Sequence, residues 1–179
     1  MKSWLLLTSF AFLILAAGCD SSTTSTTQTE SQQPAANPEV ASLDSDTVAK
    51  QLAGKTVSNP DELTAAETDA GLQASPAIWG SVESLTRQGD NAVVASGWAA
   101  DREGDGRPLS VVLFVGGKGA GMTTTQGERP DVVTQLGLAP EHKDLAFQAT
   151  VDCQAGDTLL VVFVGPSGRY SNFVPKGCP

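Results

Sequence analysis

The second half of the chain alternates between short apolar runs and clusters of Gly, Asp and Pro, which predicts β-strands joined by tight turns. The run at 145–151 has apolar residues at every odd position, with Gln148 and Thr150 between them, so it should bury one face. The run at 158–164 is apolar on both faces and should be covered on both sides. Seven strands are predicted, at residues 78–85, 92–100, 109–115, 118–125, 145–151, 158–164 and 169–174.

Seven short strands within about 100 residues fit an immunoglobulin-like β-sandwich. We therefore interpret residues 77–179 as a single all-β domain of this type. Gly116-Gly117 should form the hairpin turn between the third and fourth strands. Residues 129–136 should form a turn or a short helix.

Residues 39–75 carry a weak helical pattern. Asp46 can cap a helix at 47–53, and Asn59 can cap a second one that has Pro60 at its first position and Glu62 completing a capping box. The low apolar content favours a semi-ordered linker, because helices this short are marginal alone. The alternative is docking, and we hypothesise that residues 48–72 or a partner cover the two strands that are apolar on both faces.

The chain begins with a cationic Lys2 and an apolar run, Trp4–Leu15, that is too short to span a bilayer. Small residues follow, as in a secretory signal. The sequence Leu15-Ala16-Ala17-Gly18-Cys19 resembles the lipobox of bacterial lipoproteins. The resemblance implies removal of residues 1–18 and acylation of Cys19, and two or three acyl chains give stable anchoring. The alternative is an ordinary signal peptide with an incidental cysteine.

Anchoring of this kind implies a protein held at the bacterial cell membrane or outer membrane, facing the periplasm or the cell exterior. Residues 19–76 would then be an acidic tether, because 21–38 consist almost entirely of polar and small residues and predict a disordered spacer. The net charge of the chain is −9, which argues against nucleic acid as a partner.

With Cys19 assigned to lipid, Cys153 and Cys178 are left, and two cysteines in an exported protein predict a disulfide. In the chain-entropy picture such a crosslink stabilises by roughly 3–4 kcal/mol. The alternatives are free thiols or a metal pair. A metal is disfavoured because His142 is the only histidine in the sequence.

Several short motifs recur in order along the predicted domain. They are Gly80–Glu83, Gly97–Asp101, Arg129–Val132 and Ala146-Phe147. Together they resemble a β-sandwich module of bacterial surface and secreted proteins, which implies a structural or interaction unit with no catalytic residues to transfer. The chain departs from the pattern where Ala146 replaces a glycine and in its additional cysteine pair.

The residues of these motifs also have a physical interpretation as parts that hold the fold together. Trp98 lies among small residues and is expected to fill the sandwich core beside Val94. Arg129 and Asp131 can lock a turn by charge-assisted hydrogen bonds, and Pro130 fixes φ there.

Candidate chemistry is sparse. Asp101, Glu103 and Asp105, followed by Gly106, resemble the start of a calcium loop, but position 12 is Val112, and a polar turn explains the same residues.

The glycine-rich stretch 116–121 invites comparison with a phosphate loop, but Gly119 follows Lys118 where Ser or Thr is needed. His142 is expected to be a solvated loop residue. No cofactor is implied, and the sequence does not indicate an enzyme.

The expected function is that of a membrane-anchored envelope lipoprotein whose β-sandwich is a structural or protein-interaction module, with an envelope protein as its partner. The alternative is a module that binds carbohydrate or cell-wall glycan. Such a module needs exposed aromatic rings, and Trp79 and Tyr170 are the two aromatic residues expected near the surface.

Overall fold

The computed structural model describes residues 45–57 and 59–179. The predictions for the signal segment, Cys19 and the spacer at 21–38 lie outside the described residues. The described chain contains three short helices and eight strands. These are α1 (Ser45–Ala53), α2 (Pro60–Asp69), β1 (Gln73–Ala74), β2 (Ile78–Gln88), β3 (Ala92–Asp101), β4 (Ser110–Val115), β5 (Lys118–Thr124), α3 (Pro130–Leu136), β6 (Ala146–Asp152), β7 (Thr158–Val164) and β8 (Arg169–Gly177).

Each of the seven predicted strands is present, with bounds that differ by a few residues at most. Asn59 accepts a hydrogen bond from the backbone N–H of Glu62, so the predicted cap of α2 is confirmed. Gly116 and Gly117 have φ values of 53° and 78°, as a two-residue hairpin turn requires. Strand β1 escaped prediction because two residues carry no periodic pattern.

The strands form two sheets, which confirms a mostly β fold with two sheets. The five-stranded sheet has the order β1-β8-β7-β4-β5, and the three-stranded sheet has the order β2-β3-β6. Strand β1 pairs in parallel with β8, and every other pair is antiparallel. The largest cluster of buried apolar side chains includes members of both sheets, among them Val82, Val93, Val111, Phe147, Val161 and Phe163.

A second cluster covers the other face of the five-stranded sheet, and we call it the helix-covered cluster. The side chains of β4, β7 and β8 in this cluster are Val112, Phe114, Val162, Val164 and Tyr170. The helical segment supplies Val48, Ala49, Leu52, Val57, Leu63 and Leu72.

The hypothesis that residues 48–72 cover the doubly apolar strands is therefore confirmed, and the interpretation of this segment as a semi-ordered linker is wrong. Its few apolar residues lie together on the sheet, so a low apolar content still suffices for docking. Residues on both sides of the expected boundary at residue 77 contribute to the helix-covered cluster.

The glycine-rich hairpin between β4 and β5 holds the chain that follows α1. The N–H of Val57 donates to the carbonyl of Gly117 at 2.6 Å, and the N–H of Gly119 donates to the carbonyl of Lys55 at 3.2 Å. A Cβ on Gly119 would lie 1.6 Å from the carbonyl oxygen of Ala53. Glycine is required at position 119 because another backbone passes there.

Cys153 and Cys178 form a disulfide with a Cα–Cα distance of 6.1 Å, as predicted from the cysteine count. Cys153 follows β6 of the three-stranded sheet, and Cys178 follows β8 of the five-stranded sheet. The crosslink therefore ties the two sheets together at one end of the sandwich.

Docking of α1 can be tested at Leu52, whose side chain is fully buried. We expect Leu52→Ala to lower the free energy of unfolding by about 2–5 kcal/mol, because it leaves a cavity between α1 and the sheet. Urea unfolding monitored by circular dichroism measures this change. Gln51→Ala, on the exposed side of the same helix, is the matched control, and equal effects of the two variants would contradict the docking.

Candidate functional site

The outer face of the three-stranded sheet is partly covered by α3. Alternate residues of β3 belong to the cluster between the sheets, including Val93, Ala95 and Ala99. Trp98 lies in a different cluster, in which it packs with Val132 of α3. The expectation that Trp98 fills the sandwich core is therefore wrong, because the strand register turns its side chain to the outer face.

Arg129 lies directly before α3 and binds two carboxylates. Its guanidinium donates to Asp131 at 2.9 and 2.7 Å, which confirms the predicted lock of the Arg-Pro-Asp turn. The same group donates to both carboxylate oxygens of Glu83 at 2.8 and 3.0 Å. Pro130 occupies the first position of α3, where its missing N–H costs nothing.

Arg129, Glu83 and Asp131 form an arrangement that we call the Arg129 clamp. The contacts within the clamp shift the pKa values of Arg129 and Asp131. Hydrogen bonds from Arg129 lower the pKa of Asp131 to about 2. Asp131 and Glu83 together, acting chiefly by hydrogen bonding, raise the pKa of Arg129 above its ordinary value. Arg129 and Asp131 are therefore both ionised throughout the physiological pH range.

Glu83 reaches Arg129 from a β-bulge in β2. The register between β2 and β3 shifts between Val82 and Ser84, so Glu83 is the extra residue of the bulge. Gly97 of β3 lies beside this irregularity, and a Cβ on it would lie 1.9 Å from the carbonyl oxygen of Ser81. The glycine of the Gly-Trp-Ala-x-Asp motif is thus required by the close approach of β2.

The rest of this outer face is polar and uncovered, and we call it the open face. It is made of cross-strand rows from β2, β3 and β6, namely Ser84–Ser96–Gln148 and Thr86–Val94–Thr150. Two shallow depressions of about 490 and 390 Å³ adjoin at Ser96 and Gln148. Arg129 and Glu83 line the larger one, so the clamp forms part of its wall.

The acidic loop after β3 is held by arginines. Asp101 is nearly buried, and both of its carboxylate oxygens accept from Arg169 at 2.8 and 2.7 Å. Glu103 accepts from the same guanidinium at 2.6 Å, and Asp105 pairs with Arg107 at 2.7 Å. A calcium ion at this candidate loop would have to displace an arginine from every one of the three carboxylates.

Across residues 45–57 and 59–179, no group of three or more His, Cys, Asp or Glu side chains is arranged to hold a metal ion. His142 is 5% exposed, and its Nε2 lies 3.0 Å from the carbonyl oxygen of Asp101. The expectation of a solvated His142 is wrong, because its ring is packed between two loops. The groups nearest its two ring nitrogens are the backbone carbonyls of Asp101 and Ala139, so the ring holds its loop against the end of β3.

The two aromatic residues expected at the surface differ in exposure. Trp79 is 41% exposed, and the Arg102 guanidinium lies 4.6 Å from its ring centroid. The indole N–H donates to the carbonyl of Pro76 at 2.7 Å, which fixes the ring. Tyr170 is only 5% exposed, so the expectation for this residue is wrong. It is part of the helix-covered cluster, under residues that the sequence assigned to a linker.

Sequence reasoning missed the partners of the motif residues. Glu83 and Arg169 are separated by 46 and 68 residues from Arg129 and Asp101, respectively. Glu83 lies within one of the short motifs, which was the only signal for it, whereas no motif contains Arg169. Pairing over such distances depends on sheet topology.

Comparison of the chain with protein-family models found no matching family, and comparisons with curated proteins and with solved structures found no significant match. None of the helices in the described part of the chain is long and apolar enough to cross a membrane.

The clamp can be tested through the titration of Asp131. We expect Arg129→Gln to return the pKa of Asp131 from about 2 towards 3.8, because the guanidinium that stabilises the carboxylate is lost. Since the folded-state pKa is lowered, Asp131 stabilises the fold above pH 3.8, and this stabilisation is lost as the pH falls through about 2. NMR titration of the side-chain carboxyl carbons measures the change.

The matched control is Arg107→Gln, which removes an arginine that holds the pKa of Asp105 below its usual value. This variant should raise the pKa of Asp105 and leave Asp131 unchanged. An Asp131 titration that does not respond to Arg129→Gln would contradict the clamp.

Proposed function

We propose that the protein is a lipoprotein of the bacterial envelope whose β-sandwich is a protein-interaction module. The anchor is supported by the sequence alone, through the apolar run, the small residues and Cys19. The interaction role is supported by the order of short motifs resembling a surface-protein module, and by the surface chemistry of the two sheets.

The interaction role rests on one observation: the outer face of one sheet is covered by helices of the chain, whereas the outer face of the other sheet is largely uncovered. The chain covers the outer face of the five-stranded sheet with its own helices. On the three-stranded sheet, α3 covers only the part around Trp98, and the open face beyond it has hydroxyl and amide side chains. Such groups donate and accept hydrogen bonds without a charge to desolvate, as a protein or glycan surface requires.

Binding is proposed over catalysis because the ionised groups at this face bind one another. Arg129 is held by Glu83 and Asp131, so these side chains form a rigid rim and not a reactive group. The hydroxyl oxygens of Ser84 and Ser96 lie 2.8 Å apart on the open face. Among the described hydrogen bonds, neither hydroxyl is bonded to a group that could act as a general base.

We further propose that the sandwich is immunoglobulin-like. The order β2-β3-β6 facing β8-β7-β4 corresponds to the two sheets of that fold. The fourth strand of the sandwich, β5, pairs with β4, whereas in the constant-type fold it extends the opposite sheet. This arrangement leaves β6 at an edge of its sheet and keeps the open face three strands wide.

In-cell photo-crosslinking of the full-length chain tests the proposal. A photoreactive residue in place of Ser96, on the open face, should capture a discrete envelope protein. The same residue in place of Thr64, on the exposed side of α2, should not, because that surface faces away from the open face's sheet. Mass spectrometry of the crosslinked species measures both yields.

Equal capture at both positions would contradict a role for the open face. Cys19→Ser provides the control for the anchor, since it removes the thiol that would be acylated. We expect this variant to leave the membrane fraction, and retention there would contradict the lipoprotein assignment.

A second candidate function, glycan binding, is favoured by Trp79. It is the one large apolar residue that is exposed among the side chains the structure describes, and sugars stack on rings of this kind. Arg102, which contacts the ring, adds hydrogen-bond donors beside it.

A glycan-binding module predicts that Trp79→Ala loses most of its retention on isolated cell-wall glycan, because the stacking surface is gone. Co-sedimentation with the glycan measures retention. Thr64→Ala, at an exposed position of α2, is the control. Unchanged retention in Trp79→Ala would count against this second function.

A further inference from the structure

Helix α2 places a carboxyl group inside the helix-covered cluster. The helix packs on the sheet through Leu63 and Glu67, with Ala66 and Ala70 beside them. Glu67 is 0% exposed. Its Oε2 accepts a long hydrogen bond of 3.3 Å from the side-chain amide of Asn172 on β8, and its Oε1 has no hydrogen-bond partner.

The surroundings of Glu67 offer no cation among the groups that act on its carboxyl, which are Tyr170 and Asn172 of β8. The cluster in which α2 packs is otherwise apolar, and its members include Val48, Ala49 and Leu52 from α1, Val112 and Phe114 from β4, and Val162 and Val164 from β7. The following charged residues of the two helices are exposed: Lys50 of α1 and Asp61, Glu62 and Asp69 of α2. The uncharged Gln73 of β1 is also exposed.

The free energy of burying Glu67 at this position differs between its neutral and its ionised form. Burial raises the pKa of Glu67 from 4.5 to about 7, and the neighbouring side chains of Tyr170 and Asn172 oppose this shift only in part. Burial, together with Glu67, raises the pKa of Tyr170 to about 12, so its hydroxyl stays protonated. A neutral carboxyl suits this apolar site, whereas a carboxylate with an unpaired oxygen does not.

We propose that the protonation of Glu67 controls the docking of α2: the neutral carboxyl keeps the helix on the sheet, and the carboxylate releases it. The folded-state pKa is raised, so the stabilisation of docking is fully present below pH 4.5 and is lost as the pH rises through about 7. Release would free residues 59–72 and uncover Tyr170, Val162 and Val164 of the sheet.

Amide hydrogen exchange of the full-length protein, followed by mass spectrometry from pH 4 to 8.5, tests the proposal. After correction for intrinsic exchange, the opening equilibrium of peptides covering 61–70 should rise by roughly two orders of magnitude between pH 4.5 and a pH above 7, as the raised pKa requires. Peptides covering β3 should show a smaller change, because α2 does not pack on that strand.

Two variants separate Glu67 from other carboxylates of the helix. Glu67→Gln should keep the low-pH protection of α2 at every pH, because the amide has nearly the same shape and cannot ionise. Asp69→Asn, on the exposed side of the same helix, should retain the wild-type pH profile. A pH-independent wild-type profile, or a Glu67→Gln profile equal to the wild type, would overturn the proposal.

A direct measurement on the wild-type chain stands independently of the variants. Carboxyl-carbon NMR should give Glu67 a titration midpoint near pH 7. A midpoint below pH 5 would overturn the proposal even if Glu67→Gln did not fold.

Discussion

Strands β4 and β7 are apolar on both faces, and the rest of the architecture depends on keeping water from both. The three-stranded sheet covers one face, and α1 and α2 cover the other. A strand pair of this composition cannot lie at a surface without exposing valine, leucine and phenylalanine side chains. The 45–72 segment is therefore an integral layer of the fold, although it reads as a polar linker.

Two arginines connect parts of the chain that the packing alone would leave loosely oriented. Arg129 joins the start of α3 to the bulge in β2, and Arg169 joins the start of β8 to the loop after β3. In both cases one guanidinium binds two carboxylates, a geometry that fixes orientation as well as distance. The Arg129 contacts form part of the wall of the open face, and the Arg169 contacts occupy two of the carboxylates of the candidate calcium loop.

Prediction from sequence succeeded where the signal is local. The alternation at 145–151 gave the correct faces of β6, and Gly116-Gly117 gave the hairpin. It failed for Trp98, because β3 has small apolar residues on both faces and α3 decides which one takes the ring. Tyr170 was misplaced for a similar reason, since its cover lies about 100 residues earlier.

Glu67 could not be recognised as buried from sequence either. It lies in a helix whose neighbouring residues are mostly polar or small, and its burial depends on tertiary packing, including the contact with Asn172 of β8 about 100 residues later. The candidate site shows the same limit: its motif residues were identified individually, but the open face arises from the pairing of the β2–β3 hairpin with β6, which is distant in sequence.

The pairing of β1 with β8 has a consequence for the order in which the molecule is assembled. The helices and β1 leave the ribosome early, whereas β8, which bonds to β1 and contributes Tyr170 beneath α2, is made last. Until then the first-made segment has no complete surface on which to settle. Cooperative folding of the helix-covered layer must therefore await the synthesis of β8, so this layer is completed late although its helices are made first.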